Sequence, residues 1–190
     1  PAAGTLTITA TAFEVGDIDD VVYNGAAQEI APVVTFGETT LTAGTDYDVS
    51  YSEDTTNVGE VTVTITGKGN FGGTKTATYN ITKKPVTITA ASQSWAYDGN
   101  AHTNGTVTAK EGGLVSGHVL TANATGSVTD VDDTANGNTP IAEGYTITAD
   151  KVDVTANYKI TPVAGTLTIT AVEFEVGDID DVVYNGAAQE

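Results

Sequence analysis

Glu60-Val61-Thr62-Val63-Thr64-Ile65-Thr66 alternates polar and apolar side chains without a break. Successive side chains of an extended strand point to opposite faces, so this stretch predicts a strand with threonine toward water and Val/Ile toward a core. Thr5-Leu6-Thr7-Ile8-Thr9 and Thr146-Ile147-Thr148 repeat the pattern. Between such runs stand Asn24-Gly25, Gly67-Lys68-Gly69-Asn70, Asp98-Gly99, Glu111-Gly112-Gly113 and Asn136-Gly137-Asn138. Asn-Gly and Asp-Gly accept the positive φ of tight turns and predict hairpins here. Tyr23, Phe36, Tyr47, Tyr51 and Tyr79 are the expected bulk of one core. Trp95, Tyr97, Tyr145 and Tyr158 are the expected bulk of another. The nearest approach to a helix is Val152–Tyr158, at most one or two turns long. The fold class is therefore all-β: tandem small β-sandwich modules, immunoglobulin-like in layout. A β-grasp-like module, with Val152–Tyr158 as its packing helix, is the alternative.

The chain also restarts its own sequence. Residues 1–29 read PAAGTLTITATAFEVGDIDDVVYNGAAQE, and residues 162–190 read PVAGTLTITAVEFEVGDIDDVVYNGAAQE. Three of the 29 positions differ: Ala2/Val163, Thr11/Val172 and Ala12/Glu173. The offset of 161 residues is the period of a linear array. Within it, two related segments open at Tyr23-Asn24-Gly25 and Tyr97-Asp98-Gly99 and close at Tyr79-Asn80-Ile81-Thr82 and Tyr158-Lys159-Ile160-Thr161. This divides the chain into the end of a preceding module (1–10), module A (11–84), module B (85–165) and the start of a further module A (166–190). The joints are short and contain proline, which limits their swing.

Composition narrows the function. Of 190 residues, 35 are threonine and 21 glycine; cysteine, methionine and arginine are absent, and the net charge is −18. Such a surface repels nucleic acid and anionic lipid, so neither is an expected partner. No apolar run approaches the ~18 residues that would suggest a membrane span, so membrane insertion of this segment is not expected.

Leu41-Thr42-Ala43-Gly44-Thr45-Asp46-Tyr47, with Thr64-Ile65-Thr66-Gly67-Lys68-Gly69-Asn70-Phe71, resembles repeats of large bacterial surface proteins. The Tyr97-Asp98-Gly99 opening, Asp153-Val154-Thr155-Ala156-Asn157-Tyr158 and Gly165-Thr166-Leu167-Thr168-Ile169-Thr170 resemble the MBG/YDG-type modules of bacterial adhesins. The resemblance implies an extracellular, surface-attached stalk or fibre, often from Gram-positive bacteria, with no catalytic residues. Its expected partners are neighbouring repeats, and host or cell-surface glycans if the modules themselves bind. A self-assembling filament is the alternative, since edge strands such as Thr5–Ala10 can accept another strand.

The chemistry-bearing residues are few. His102 and His118 lie among Ala, Thr, Gly and Val, and no strand-to-helix elbow presents Ser92, Ser94 or Ser116. An enzyme is not expected, and two histidines without cysteine do not suggest structural zinc. Asp17, Asp19 and Asp20 form one acidic cluster, repeated at Asp178, Asp180 and Asp181, and Asp130, Asp132 and Asp133 form another. We read these as solvated acidic turns without a cofactor. Calcium is the alternative, although no cluster matches the twelve-residue EF-hand loop. Lys75, Lys84 and Lys159 lie near Asn80 and Asn157 in the strand pattern, a combination that could support a Lys–Asn cross-link.

Overall fold

The computed structural model describes residues 9–136, 138–139, 141–178, 183–184 and 186. Among them the regular structure is strand, apart from two 3-10 turns at Val131–Asn136 and Thr155–Asn157. The first half carries β1 (Glu14–Val15), β2 (Val21–Val22), β3 (Val34–Phe36), β4 (Thr39–Thr40), β5 (Tyr47–Tyr51), β6 (Gly59–Gly67) and β7 (Thr74–Thr82). The second carries β8 (Lys84–Ala90), β9 (Gln93–Ala96), β10 (Val107–Ala109), β11 (Val119–Thr121), β12 (Asn138–Thr139), β13 (Thr146–Ala149), β14 (Val152–Asp153), β15 (Tyr158–Val163) and β16 (Gly165–Thr170).

The alternating stretch at 60–66 is the spine of the first half. It lies in β6, between β5 and β7 in a sheet of order β2-β7-β6-β5. Val61, Val63 and Ile65 are fully buried. Each such side chain contributes about 1.5–3 kcal/mol relative to an exposed one. A second sheet, β1-β3-β4, supplies Val34 to the same core. The arrangement is a small sandwich of two sheets around Phe13, Tyr23, Tyr47 and Tyr79. In the second half, sheets β10-β8-β15, β11-β13-β14 and β12-β16-β9 enclose Val86, Ile88, Ile147 and Tyr158, with a satellite cluster of Val128, Leu167 and Ile169.

Four expectations change. Phe36 is half exposed and packs edge-on against Phe71, while Phe13, unremarkable in the sequence, is buried. Tyr97 is likewise nearly half exposed. Asn24-Gly25 does have a positive φ at Gly25, but its turn joins no hairpin: β2 pairs with β7, and β3 with β1 and β4. The two-residue hairpin turns are instead Gly37-Glu38 and Asp150-Lys151, closed by the pairs Phe36↔Thr39 and Ala149↔Val152. Val152–Tyr158 forms β14, one 3-10 turn and the first residue of β15, so it supplies no β-grasp helix.

Among the described residues three strand pairings are parallel: β2 with β7, β8 with β15, and β9 with β16. Strand β16 lies in what the sequence reads as the next module. Its hydrogen bonds go to β9 and β12. Period-two alternation identifies a strand but not the sheet it joins.

Candidate functional site

The main core runs from the first half into the second without a break: Tyr23, Val61 and Tyr79 share one cluster with Val86, Ile147 and Tyr158. The joint between the halves is therefore a packed contact, and two elements build it.

The first is a polar relay. Asp153 accepts the backbone N–H of Thr155 at 2.8 Å, and Thr155 Oγ1 accepts the N–H of Ile147 at 2.8 Å. These bonds fix the 3-10 turn that carries Asn157 into the joint, where it is 5% exposed. Asn157 Oδ1 accepts the N–H of Val58 at 2.9 Å, and its Nδ2 donates to Asn57 Oδ1 at 2.8 Å. Asn57 is held in turn by Asp54, whose carboxylate accepts both the Asn57 backbone N–H and its Nδ2, each at 2.9 Å. Those bonds, with a third from the Thr56 N–H, hold the Asp54 pKa below the ordinary carboxylate value. A buried amide left without partners is costly, and here both ends of Asn157 are used.

The second element is aromatic. The Tyr23 ring meets Tyr158 edge-on at 5.6 Å, and His118 packs against both. The Tyr158 hydroxyl accepts the N–H of Val115 at 3.1 Å and lies 2.8 Å from His118 Nδ1. Burial pushes the Tyr158 phenol pKa up. Gly25 closes the group at φ +81°, and a Cβ there would lie 2.9 Å from Val115 Cγ1. Glycine thus meets two demands at once: a left-handed backbone and close approach of the second half.

No family model and no curated protein matches the chain.

The sequence-derived candidates fall elsewhere. Asp20 accepts the backbone N–H of Asn80 at 2.7 Å and its Nδ2 at 3.1 Å, tying β2 to β7. Asp17 and Asp19 are exposed. Asp133 accepts the N–H groups of Asp130 and Thr129, which lower its pKa, and Asp130 and Asp132 are exposed. Among the described residues no three acidic or histidine side chains converge as a metal site. Lys75 pairs with Glu14 at 2.7 Å, Asn80 bonds Asp20, and Asn157 is occupied as above, so these candidate cross-linking side chains have other partners. Of the histidines, His102 bonds Asp98 at 3.0 Å and His118 lies against Tyr158. Trp95 stacks one face on His102 at 4.8 Å and packs against the Leu167 cluster.

Sequence reasoning missed Asn57, and it offered Asn157 as a cross-linking side chain when the amide in fact joins the two halves. The available signal was slight: Asn157 directly precedes a core tyrosine, in the one stretch whose periodicity is neither strand nor a full helix.

Proposed function

We propose that this chain is a repeat segment of an extracellular bacterial surface protein and serves as a spacer, a stalk or fibre that holds what it carries away from the cell. One observation carries the reading: the joint between the halves is hydrogen-bonded through Asn157 and packed through Tyr158 against Tyr23. A flexible tether needs no buried amide at its hinge. A segment that must keep its direction over many repeats benefits from one, because each stiff joint preserves the orientation of the next module. The 161-residue period extends that geometry along an array. The acidic, threonine-rich surface suits a solvated extracellular position, and the resemblance to adhesin modules supports the same assignment.

A glycan-binding module would need a large aromatic face to stack on a sugar, and Trp95 already uses one ring face on His102, which favours the spacer over a binding module. Small-angle scattering on the whole chain tests the reading. A spacer gives the profile of one rigid, elongated particle, independent of concentration in the dilute range. A profile that requires an ensemble of inter-half angles would overturn it.

A further inference from the structure

The two related segments of the chain open on the same turn, Tyr23-Asn24-Gly25 and Tyr97-Asp98-Gly99. Asn24 Oδ1 accepts the Ala26 N–H at 2.9 Å, and Gly25 lies at φ +81°. Asp98 Oδ1 accepts the Asn100 N–H at 2.9 Å, and Gly99 lies at φ +77°. The first turn thus holds a carboxamide where the second holds a carboxylate. Asn24 and Gly25 are exposed, and among the described residues the Gly25 N–H makes no hydrogen bond. Glycine also puts no Cβ in the way of a group that approaches its nitrogen.

We propose that Asn24 is a modification site, where the chain's own backbone converts asparagine to aspartate or isoaspartate and so alters the joint between the halves. Hydroxide takes the Gly25 amide proton, and the nitrogen attacks Asn24 Cγ. The Ala26 N–H is in place to hold the oxygen anion that forms on Oδ1. The new N–Cγ bond closes a succinimide ring as the Cγ–Nδ2 bond breaks, and the amide leaves as ammonia with a proton from water. Water then opens the ring. Attack at Cγ restores the main chain and leaves an aspartate; attack at the main-chain carbonyl leaves an isoaspartate, whose main chain runs through Cγ. In sum one water enters and one ammonia leaves, and nothing is oxidised or reduced.

Asp98 shows that the turn accepts an aspartate unchanged. The Asn100 N–H, foremost, holds the Asp98 pKa to about 2, and an ionised carboxylate resists the same attack. Isoaspartate instead adds a carbon to the main chain beside Gly25. A Cβ on Gly25 would already meet Val115 Cγ1 at 2.9 Å and His118 Nε2 at 3.4 Å, so the shifted backbone presses on the second half. Asn104-Gly105 supplies the contrast. Asn104 Oδ1 accepts the Thr106 N–H at 2.9 Å in the same way, but its Nδ2 donates to Gln93 Oε1 at 2.8 Å, and Gly105 is packed against Asn123. Held at both ends, that carboxamide reacts more slowly. This chemistry is independent of the spacer reading.

The whole chain is incubated in mildly alkaline buffer, cleaved after lysine and mapped by mass, with isoaspartate counted by its enzymatic methylation. Lys68 ends the peptide that holds Asn24, and Lys110 ends the one that holds Asn104. In the folded chain Asn24 should react about fivefold faster than Asn104, the ratio that one further hydrogen bond sets. In urea the two rates should converge. Asn24→Ser cannot form the ring, and its hydroxyl can still accept the Ala26 N–H. The difference in melting temperature between the unaltered chain and this variant should shift by about 2–4 °C on equal ageing, with the unaltered chain losing stability. Equal rates at the two asparagines in the folded chain, a rate ratio that urea leaves unchanged, or a melting difference that ageing does not move would overturn the proposal.

Discussion

Asn157 donates its side-chain amide to Asn57, one hundred residues earlier, and with the same side chain accepts the backbone N–H of Val58. The two halves of the chain are thus joined by a buried polar contact as well as by apolar packing. Asn157→Ala removes two part-buried hydrogen bonds, leaving the Val58 N–H and Asn57 Oδ1 without these partners. The expected loss is about 1–3 kcal/mol, read from urea or guanidinium unfolding. Asn57→Ala combined with it should cost less than the two single losses together, because both remove the same bond.

Gly25→Ala is expected to be more damaging than its conservative chemistry suggests. The residue sits at φ +81°, and its new methyl would meet Val115 Cγ1 at 2.9 Å. The backbone contribution alone is about 1–2 kcal/mol. Gly44→Ala, at φ +80° with open space around it, isolates that contribution. The difference in melting temperature between the two variants measures the contact with the second half.

Lys151→Gly should stabilise the protein. Asp150 and Lys151 both have positive φ in the two-residue turn between β13 and β14, a conformation that glycine adopts without strain. A gain of about 1 kcal/mol is expected, and a loss would show that the lysine side chain has a stabilising contact.

Stability should fall at both ends of the pH range. Asp98 is held to about 2 by the backbone N–H and side chain of Asn100 and then by His102; Asp54, Asp133 and Asp153 are lowered in the same direction by their own turn bonds. Groups lowered by folding contribute stability above their unfolded values near pH 4 and lose it as pH falls through the folded ones. Burial raises Tyr158, and Tyr51 is raised by burial and by Glu29. A phenol raised by folding contributes fully below about pH 10 and loses its contribution as pH rises. Tyr158→Phe should therefore flatten the alkaline side of a melting-temperature profile, and an unchanged alkaline slope would contradict this assignment.

Much of the fold is legible in the sequence. The strands of 60–66 and 146–148 follow from alternation alone, because one face must be dry and the other wet. Tyr23, Tyr47, Tyr79 and Tyr158 belong to the core, as their bulk suggests. Phe36 misleads because an aromatic beside a Gly-Glu turn has only one side covered, by Phe71. Parallel pairing was not legible, since β8 and β15 lie about 70 residues apart and nothing local records which strand a sheet edge receives. The role of Asn157 at the joint was not legible for a related reason: nothing local shows that the packing of the other half will bury a polar residue in a turn.

The stiffness of the joint is the central claim, and a distance distribution between the halves tests it most directly. Glu38 and Glu111 are exposed and lie one in each half, and the chain is cysteine-free, so spin labels at Glu38→Cys and Glu111→Cys report only that distance. Pulsed electron resonance should give one narrow peak that broadens when Asn157→Ala is added. A broad or multiple-peaked distribution in the otherwise unaltered chain would contradict the account.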